Sequence, residues 1–400
     1  MKDTTHKTPW GLVILLGAMT ALGPLSIDMY LPSLPTIGAD LYASPAQTQS
    51  TVAAFLAGMA IGQLFYGPAS DRLGRKAPML LGLLIYIVAS VGCMLAASGP
   101  MLIGMRFVQA LGACAGAVIS RAVVRDRFDH TETARMLSLM TLIMGLAPIF
   151  APLAGGVLLG FGGWRSIFAV MVAYGVVLTL AVAFRMTESR SAETAAHARS
   201  EHPIQAYLSL LGQRRLIGYA LAGALNGATL FTYISSAPEV LIGGYGISPG
   251  KFGWVFGING VGFVAANQLN RRLLRTRTPD VVLGWACWAA LAAAALMTLA
   301  ATTGFGERWT VLPLLFLVLG SYSVMQANTM AGALSVDPRR AGSISAVMGG
   351  LAFATGALAA WAAGALHDGT PRPMAAVMLA CLAGSAVALR ILALPPRPGS

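Results

Sequence analysis

The residue best placed to do chemistry in this chain is an aspartate. From Trp10 to Ile27 the sequence carries no charge, and Asp28 then appears within LSIDMYLPSLP, Leu25 to Pro35. A carboxylate at membrane depth costs about 2.5–3.5 kcal/mol on insertion scales, so a residue of this kind reads as functional. Its candidate partner is a base: Arg106 lies inside a later apolar run, in RFVQALGACAG. Asp28 stands about four residues before Pro32 and Arg106 about six after Pro100, so at about 1.5 Å per residue the two reach similar depths and could meet. Gln109 and Ala113 follow Arg106 at i+3 and i+7, one polar face with a small residue beside it. Burial and a nearby guanidinium act on a carboxyl's proton affinity in opposite senses, so a change of surroundings would let Asp28 load and release a proton. The plainer alternatives are an acid that only neutralises a buried base, or one that snorkels to the outer interface.

The remaining ionisable residues exclude other chemistry. His6, His130, His197, His202 and His367 fall outside the apolar runs, and the other acids lie in loops or at run ends, with Glu239 the borderline case, an exposed loop acid or a second cation-attracting site. No nucleophile–base spacing, metal-ligand cluster or phosphate-binding glycine loop with lysine is present, so neither an enzyme nor an ATP-driven pump is expected, and no cofactor or metal. Cys93, Cys114, Cys287 and Cys381 sit in apolar runs at no metal-like spacing and read as core.

The elements that must position Asp28 and Arg106 follow from composition. The chain is 56% hydrophobic and only 10% charged, against about 25% charged in soluble domains. Its apolar runs are each long enough for a helix to cross a bilayer, so the fold class is an all-α membrane protein. Twelve spans are expected, at 10–33, 46–67, 77–97, 100–121, 135–158 and 164–185, then 215–237, 249–270, 281–302, 309–332, 341–363 and 373–394. The polar stretch 186–213 divides two six-helix bundles, 1–185 and 214–400, which reads as a pseudo-symmetric repeat with a site between the halves. The net charge of +12 sits in short loops, with only Arg165, Lys251, Arg308 and Arg372 on the side opposite the rest. That asymmetry is a topology signal placing both termini in the cytoplasm, and no motif points to nucleic acid. Lys2 and Lys7 before the first run imitate a signal peptide, but Pro24 and Asp28 stand where a cleavage site would be, so an uncleaved first span is expected.

Three stretches carry a family resemblance. GQLFYGPASDRLGRK, Gly62 to Lys76, resembles the signature loop of the major facilitator superfamily; the run from Arg106 resembles that superfamily's arginine motif; and APIFAPLAGG, with Pro148, Pro152, Gly155 and Gly156, resembles the motif of its proton-coupled exporters, with Ala147 and Ala151 where glycine is usual. With IDMYLPSLP and FTYISSAPEVLI, the chain is similar to the bicyclomycin and chloramphenicol resistance (Bcr/CflA) branch of drug:proton antiporters. The resemblance implies a bacterial inner-membrane exporter that acts as a monomer on a small-molecule drug and a proton. It implies that Gly67, Asp71, Arg72, Gly74 and Arg75 form a conformational latch, Arg75 pairing with Asp126 and Asp71 facing the start of the eleventh span. The bland alternative for this loop is a topology anchor only.

A cavity lined by Met19, Tyr30, Phe55, Gln109, Met144, Asn226, Tyr233 and Gln326 would suit neutral or weakly charged aromatic compounds; interhelical hydrogen bonding is the competing role for its polar members. An importer of a nucleoside or sugar would share the fold and Asp28.

Overall fold

The computed structural model describes residues 10–191, 210, 212–337 and 341–393, with the backbone alone for several helical residues, Met144 among them. Every regular element among these residues is helical. The first, α1 (Trp10–Asp28), ends on the aspartate itself rather than at residue 33. A 3-10 turn at Leu31–Ser33 and the short α2 (Leu34–Asp40) complete the crossing. Pro32 and Pro35 account for the break, since neither supplies the N–H that would continue the helical ladder.

Side-chain caps start the next elements. Ser44 and Gln47 form a reciprocal capping box on α3 (Pro45–Leu73), Ser98 caps α5 (Gly99–Arg127) and Asp129 caps α6 (His130–Arg185); each such cap is worth about 1 kcal/mol. Between them lies α4 (Lys76–Met94). The 56-residue α6 is two limbs meeting at Gly163, whose φ of 67° is left-handed backbone that glycine adopts without a steric penalty. The expected fifth and sixth spans are these two limbs. After residue 213 come α7 (Arg214–Pro238), continued by a π-helical turn at Glu239–Gly244, α8 (Pro249–Leu273), α9 (Pro279–Thr303), α10 (Glu307–Val336), α11 (Ala341–Ala365) and α12 (Arg372–Ala388).

Ten helices among the described residues are long and apolar enough to cross a membrane. One of them, Leu146–Arg185, is 40 residues long and contains the break at Gly163, so it supplies two crossings. The other helix of sufficient length is α8, whose Asn259, Asn267, Gln268 and Asn270 dilute its apolar character. Counting both limbs of α6 and adding α8 restores the twelve crossings read from the sequence.

Helices α1 and α3 to α6 pack on one another, as do α7 to α12, and the two groups meet along two seams, α3 against α11 and α6 against α8. Small residues make both seams close, as expected where lipid removes the hydrophobic drive for association. On α8, Gly253, Gly257 and Gly260 lie under Leu153 and Ile149 of α6; on α11, Gly349, Gly350 and Gly364 lie under Gln63, Leu64 and Gln49 of α3. Gly155 of α6 approaches the chain just beyond Asp28 so closely that an added Cβ would stand 2.0 Å from the Met29 carbonyl oxygen. Overpacking of this kind costs about 1–3 kcal/mol. Gly155→Ala is therefore expected to lower the melting midpoint of the purified protein, whereas Gly104→Ala, with nothing within 4 Å of the new methyl, should melt as wild type.

Candidate functional site

Arg106 is fully buried in the first group of helices. Its Nη1 donates to Gln109 Oε1 at 2.6 Å, and its guanidinium lies 4.5 Å from the Tyr30 ring centre and 4.4 Å from that of Phe55, with Phe168 at 6.0 Å. A desolvated cation over an aromatic face gains about 2 kcal/mol, and two faces share this one. Gln109 in turn donates to Ser90 Oγ at 2.7 Å, Ser90 to the Tyr86 carbonyl, and the Tyr86 hydroxyl bonds Ser26 of α1 at 2.7 Å. Tyr30 is fixed by a 2.9 Å hydrogen bond to Thr51. The Nε and Nη2 groups of Arg106 have no partner.

The expected meeting of Asp28 with Arg106 does not occur. Asp28 is 4% exposed, makes no hydrogen bond or ion pair with a described residue, and lies beyond reach of the Arg106 charge. The reason is local. The helix stops at Asp28, and Tyr30, two residues on, turns inward to cover the guanidinium. Asp28 instead stands at the end of α1, just before the Leu31–Ser33 turn that packs against α7 and α8 of the second group. Tyr233 accepts a 2.9 Å hydrogen bond from Asn259 Nδ2 and stacks on Phe256 with ring centres 5.1 Å apart.

The other residues expected to line a cavity fall into two sets. Met19, Tyr30, Phe55 and Gln109 are buried within the first group, around or behind Arg106. Asn226 donates to the Tyr322 carbonyl at 3.1 Å, but its Oδ1, like Oε1 of Gln326, is buried without a partner. Met144 has no described side chain. Pro148, Pro152, Gly155 and Gly156 lie on the limb of α6 that fills the gap between the end of α1 and the start of α8. Glu239 is half-buried at the head of the π-helical turn.

At the basic-loop end the geometry is dense. Arg75 donates from Nε to Asp126 Oδ2 at 2.8 Å, from Nη2 to Asp126 Oδ1 at 3.3 Å, from Nη1 to Ser70 at 2.9 Å, and also to Asp71. Gly67 is half-exposed, and Gly74, at φ 95°, leaves room for a carboxylate that an added Cβ would meet at 2.6 Å. That carboxylate is Glu188, which the sequence reading left among the linker charges. It accepts backbone N–H bonds from Arg75, Lys76, Ser189 and Arg190, while Arg190 reaches the Asp71 and Arg72 carbonyls. The expected contact of Asp71 with the start of the eleventh span falls at residues 338–340, which lie outside the described residues.

Comparisons with known proteins bear on the family and the fold. The model of the Major Facilitator Superfamily matches residues 16–361. The chain is 35% identical to an uncharacterised MFS-type transporter, YdgK, of Bacillus subtilis, over 94% of each chain. It is 32% identical to a bicyclomycin resistance protein homologue of Haemophilus influenzae over 97% of each, and 30% identical to the multidrug resistance protein MdtL of Shigella flexneri over 95% of each. Among solved structures, a D-xylose–proton symporter superposes with a TM-score of 0.73 at 13% identity, covering 95% of this chain and 96% of that one. An inward-facing bacterial homologue of the lysosomal transporter Spinster gives 0.73 at 16%, covering 96% of each. At those identities the likeness speaks for the fold, which is the major facilitator fold of two six-helix bundles.

Glu188 offers a test of the loop. Partial burial opposes its charge, but the four N–H donors outweigh that and hold the carboxyl below its ordinary value. A lowered folded-state value gives stability that is present above the unfolded carboxyl's range and is lost as pH falls through the folded value. Glu188→Gln should thus melt below wild type at neutral pH, with the gap closing in acid.

Proposed function

Because this chain belongs to the Major Facilitator Superfamily, we propose that it is a proton-coupled antiporter exporting small, largely apolar or aromatic drugs, with Asp28 carrying the proton. The family makes it a transporter rather than an enzyme; cargo, direction and coupling are our reading. The observation that carries it is the isolation of Asp28, a buried carboxyl with no bonding partner among the described residues, next to the turn that meets the second bundle. Whether such a group holds its proton is set by what stands beside it: water, drug or the opposite bundle.

The cargo is supported by the names of two relatives, a bicyclomycin resistance protein homologue and a multidrug resistance protein. Two buried acceptors without partners, Asn226 Oδ1 and Gln326 Oε1, suit hydroxyl or amide donors on a neutral compound, with the stacked Tyr233 as an apolar wall. The basic loops and both termini face the cytoplasm of a bacterium in this scheme, and the protein works as a monomer in its inner membrane. At the opposite end the Leu31–Ser33 turn is buried against α7 and α8, and Ser236 Oγ donates to Gln49 at 3.4 Å. Asp28 is thereby shut from the outside until these contacts part. Facing inward it gives up its proton as drug binds; facing outward it takes one and drug leaves.

The linkage is reciprocal, so if drug displaces the proton, acid must weaken drug binding by the same coupling energy. Wild type in proteoliposomes is expected to bind chloramphenicol less tightly as pH falls and to transport it on a pH gradient. Asp28→Asn should bind independently of pH and lose gradient-driven transport; transport that survives would remove Asp28 from the coupling role. In inverted vesicles with an acidified lumen an exporter accumulates drug, whereas an importer of a nucleoside or sugar would discharge its cargo.

A further inference from the structure

Besides Arg106, α5 carries a second cation within its apolar length, and nothing above uses it. Arg121 lies 15 positions further along, about 22 Å at the helical rise, toward the basic-loop end. Its Nε donates to the Ala117 carbonyl of its own helix at 3.1 Å, and no carboxylate among the described residues pairs with it. The acids at the basic-loop end that face the first bundle are engaged elsewhere: Asp126 and Asp71 with Arg75, Glu188 with backbone N–H groups and Asp129 with the first turn of α6. Another cation, Arg125, stands one turn on along the same face of α5.

The direction in which Arg121 faces follows from Arg125. The Nη1 of Arg125 lies 3.2 Å from the position of a Cβ on Gly342, in the first turn of α11, so this face of α5 is turned to the second bundle. Arg121 sits one turn further in. It is partly exposed on that same face, so a solute between the two bundles can reach it. The first turn of α11 also brings the positive end of a helix dipole to this mouth. Two guanidinium groups and a helix N-terminus with no paired acid favour an anion, and a planar guanidinium with free donors favours a carboxylate, which it can grip with two parallel hydrogen bonds.

We propose that Arg121 is a recognition site for a carboxylate on aromatic substrates entering from the basic-loop side, ahead of Asp28. The inference rests on the efflux reading for the path the substrate takes. It divides the cargo by charge: acidic and zwitterionic aromatics are gripped at the mouth, neutral ones pass without that contact, and cations are disfavoured there.

The test is binding to the purified full-length protein in nanodiscs, using the zwitterionic fluoroquinolone ciprofloxacin and its methyl ester. Wild type is expected to bind the acid at least about tenfold more tightly than the ester, with the preference falling as salt rises. Arg121→Gln should remove that preference and leave ester affinity within about twofold, which also shows that the variant is folded; Arg121→Lys should keep part of it. Equal losses for acid and ester, or a wild type that does not prefer the acid, would overturn the proposal. Transport is not involved in this measurement, so an Arg121-dependent preference without drug-driven proton flux in proteoliposomes would support the site while sinking the efflux reading.

Discussion

A permanent positive charge buried in an apolar bundle without an acid is the constraint around which the first half is built. Arg106 cannot shed its proton to escape the cost, and the structure gives it no carboxylate. What it has are the faces of Tyr30 and Phe55, the amide of Gln109 and, further off, Phe168. Those groups come from the end of α1, from α3, from α5 and from α6, and Gln109 passes the network to α4 through Ser90. Every long helix of the first half thus contributes to one guanidinium. The contacts that enclose the charge tie these helices to one another. Asp28 stands at the rim of that group, next to the turn that packs on the second half.

The second half meets a different demand. Several of its buried polar contacts are neutral: Asn259 to Tyr233, Asn328 to Asn270, Asn226 to a Tyr322 carbonyl. Interhelical bonds of this kind are worth about 0.6 kcal/mol each in a membrane, enough to set helix register without a large cost for change. The seams between the halves rely on still less, chiefly side chains over glycines, with a 3.4 Å contact from Ser236 to Gln49. A boundary with few bonds can open without leaving charges or donors stranded. Strong interactions within each half and weak ones between them are what alternating access requires.

How much of this the sequence disclosed depends on whether the signal was local. The spans were legible because each is a run of apolar residues long enough to cross, and α8, the most polar of them, was still readable from its length. Asp28 and Arg106 stood out because charge inside such runs is rare. Their expected encounter failed because depth along a helix says nothing about direction around it, and because α1 ends at Asp28, so helical spacing no longer applies to Tyr30. Glu188 was illegible for another reason. Among Arg190, Glu193 and Arg199 an acid reads as one of several solvated charges, and its role exists only once the chain has folded back over more than a hundred residues to reach Arg75. Arg75 with Asp126 was anticipated from resemblance, whereas nothing in their spacing would have paired them.

The basic-loop network also constrains how a latch there can act. Arg75, Asp126, Ser70, Glu188 and Arg190 all belong to the first half or to the residues leaving it, so their bonds cannot by themselves hold the halves together. Their effect is to fix the loop after α3 rigidly against the end of α5. Within that rigid group Asp71 is the half-exposed member, engaged through Oδ1 alone. Its other oxygen has no partner among the described residues and could face the positive end of a helix from the second half, and α11 begins on that side, beside Arg125. A latch built this way would need only one contact across the boundary to be made or broken. The surrounding ion pairs would serve to hold Asp71 in place while the halves rock, rather than to open and close themselves.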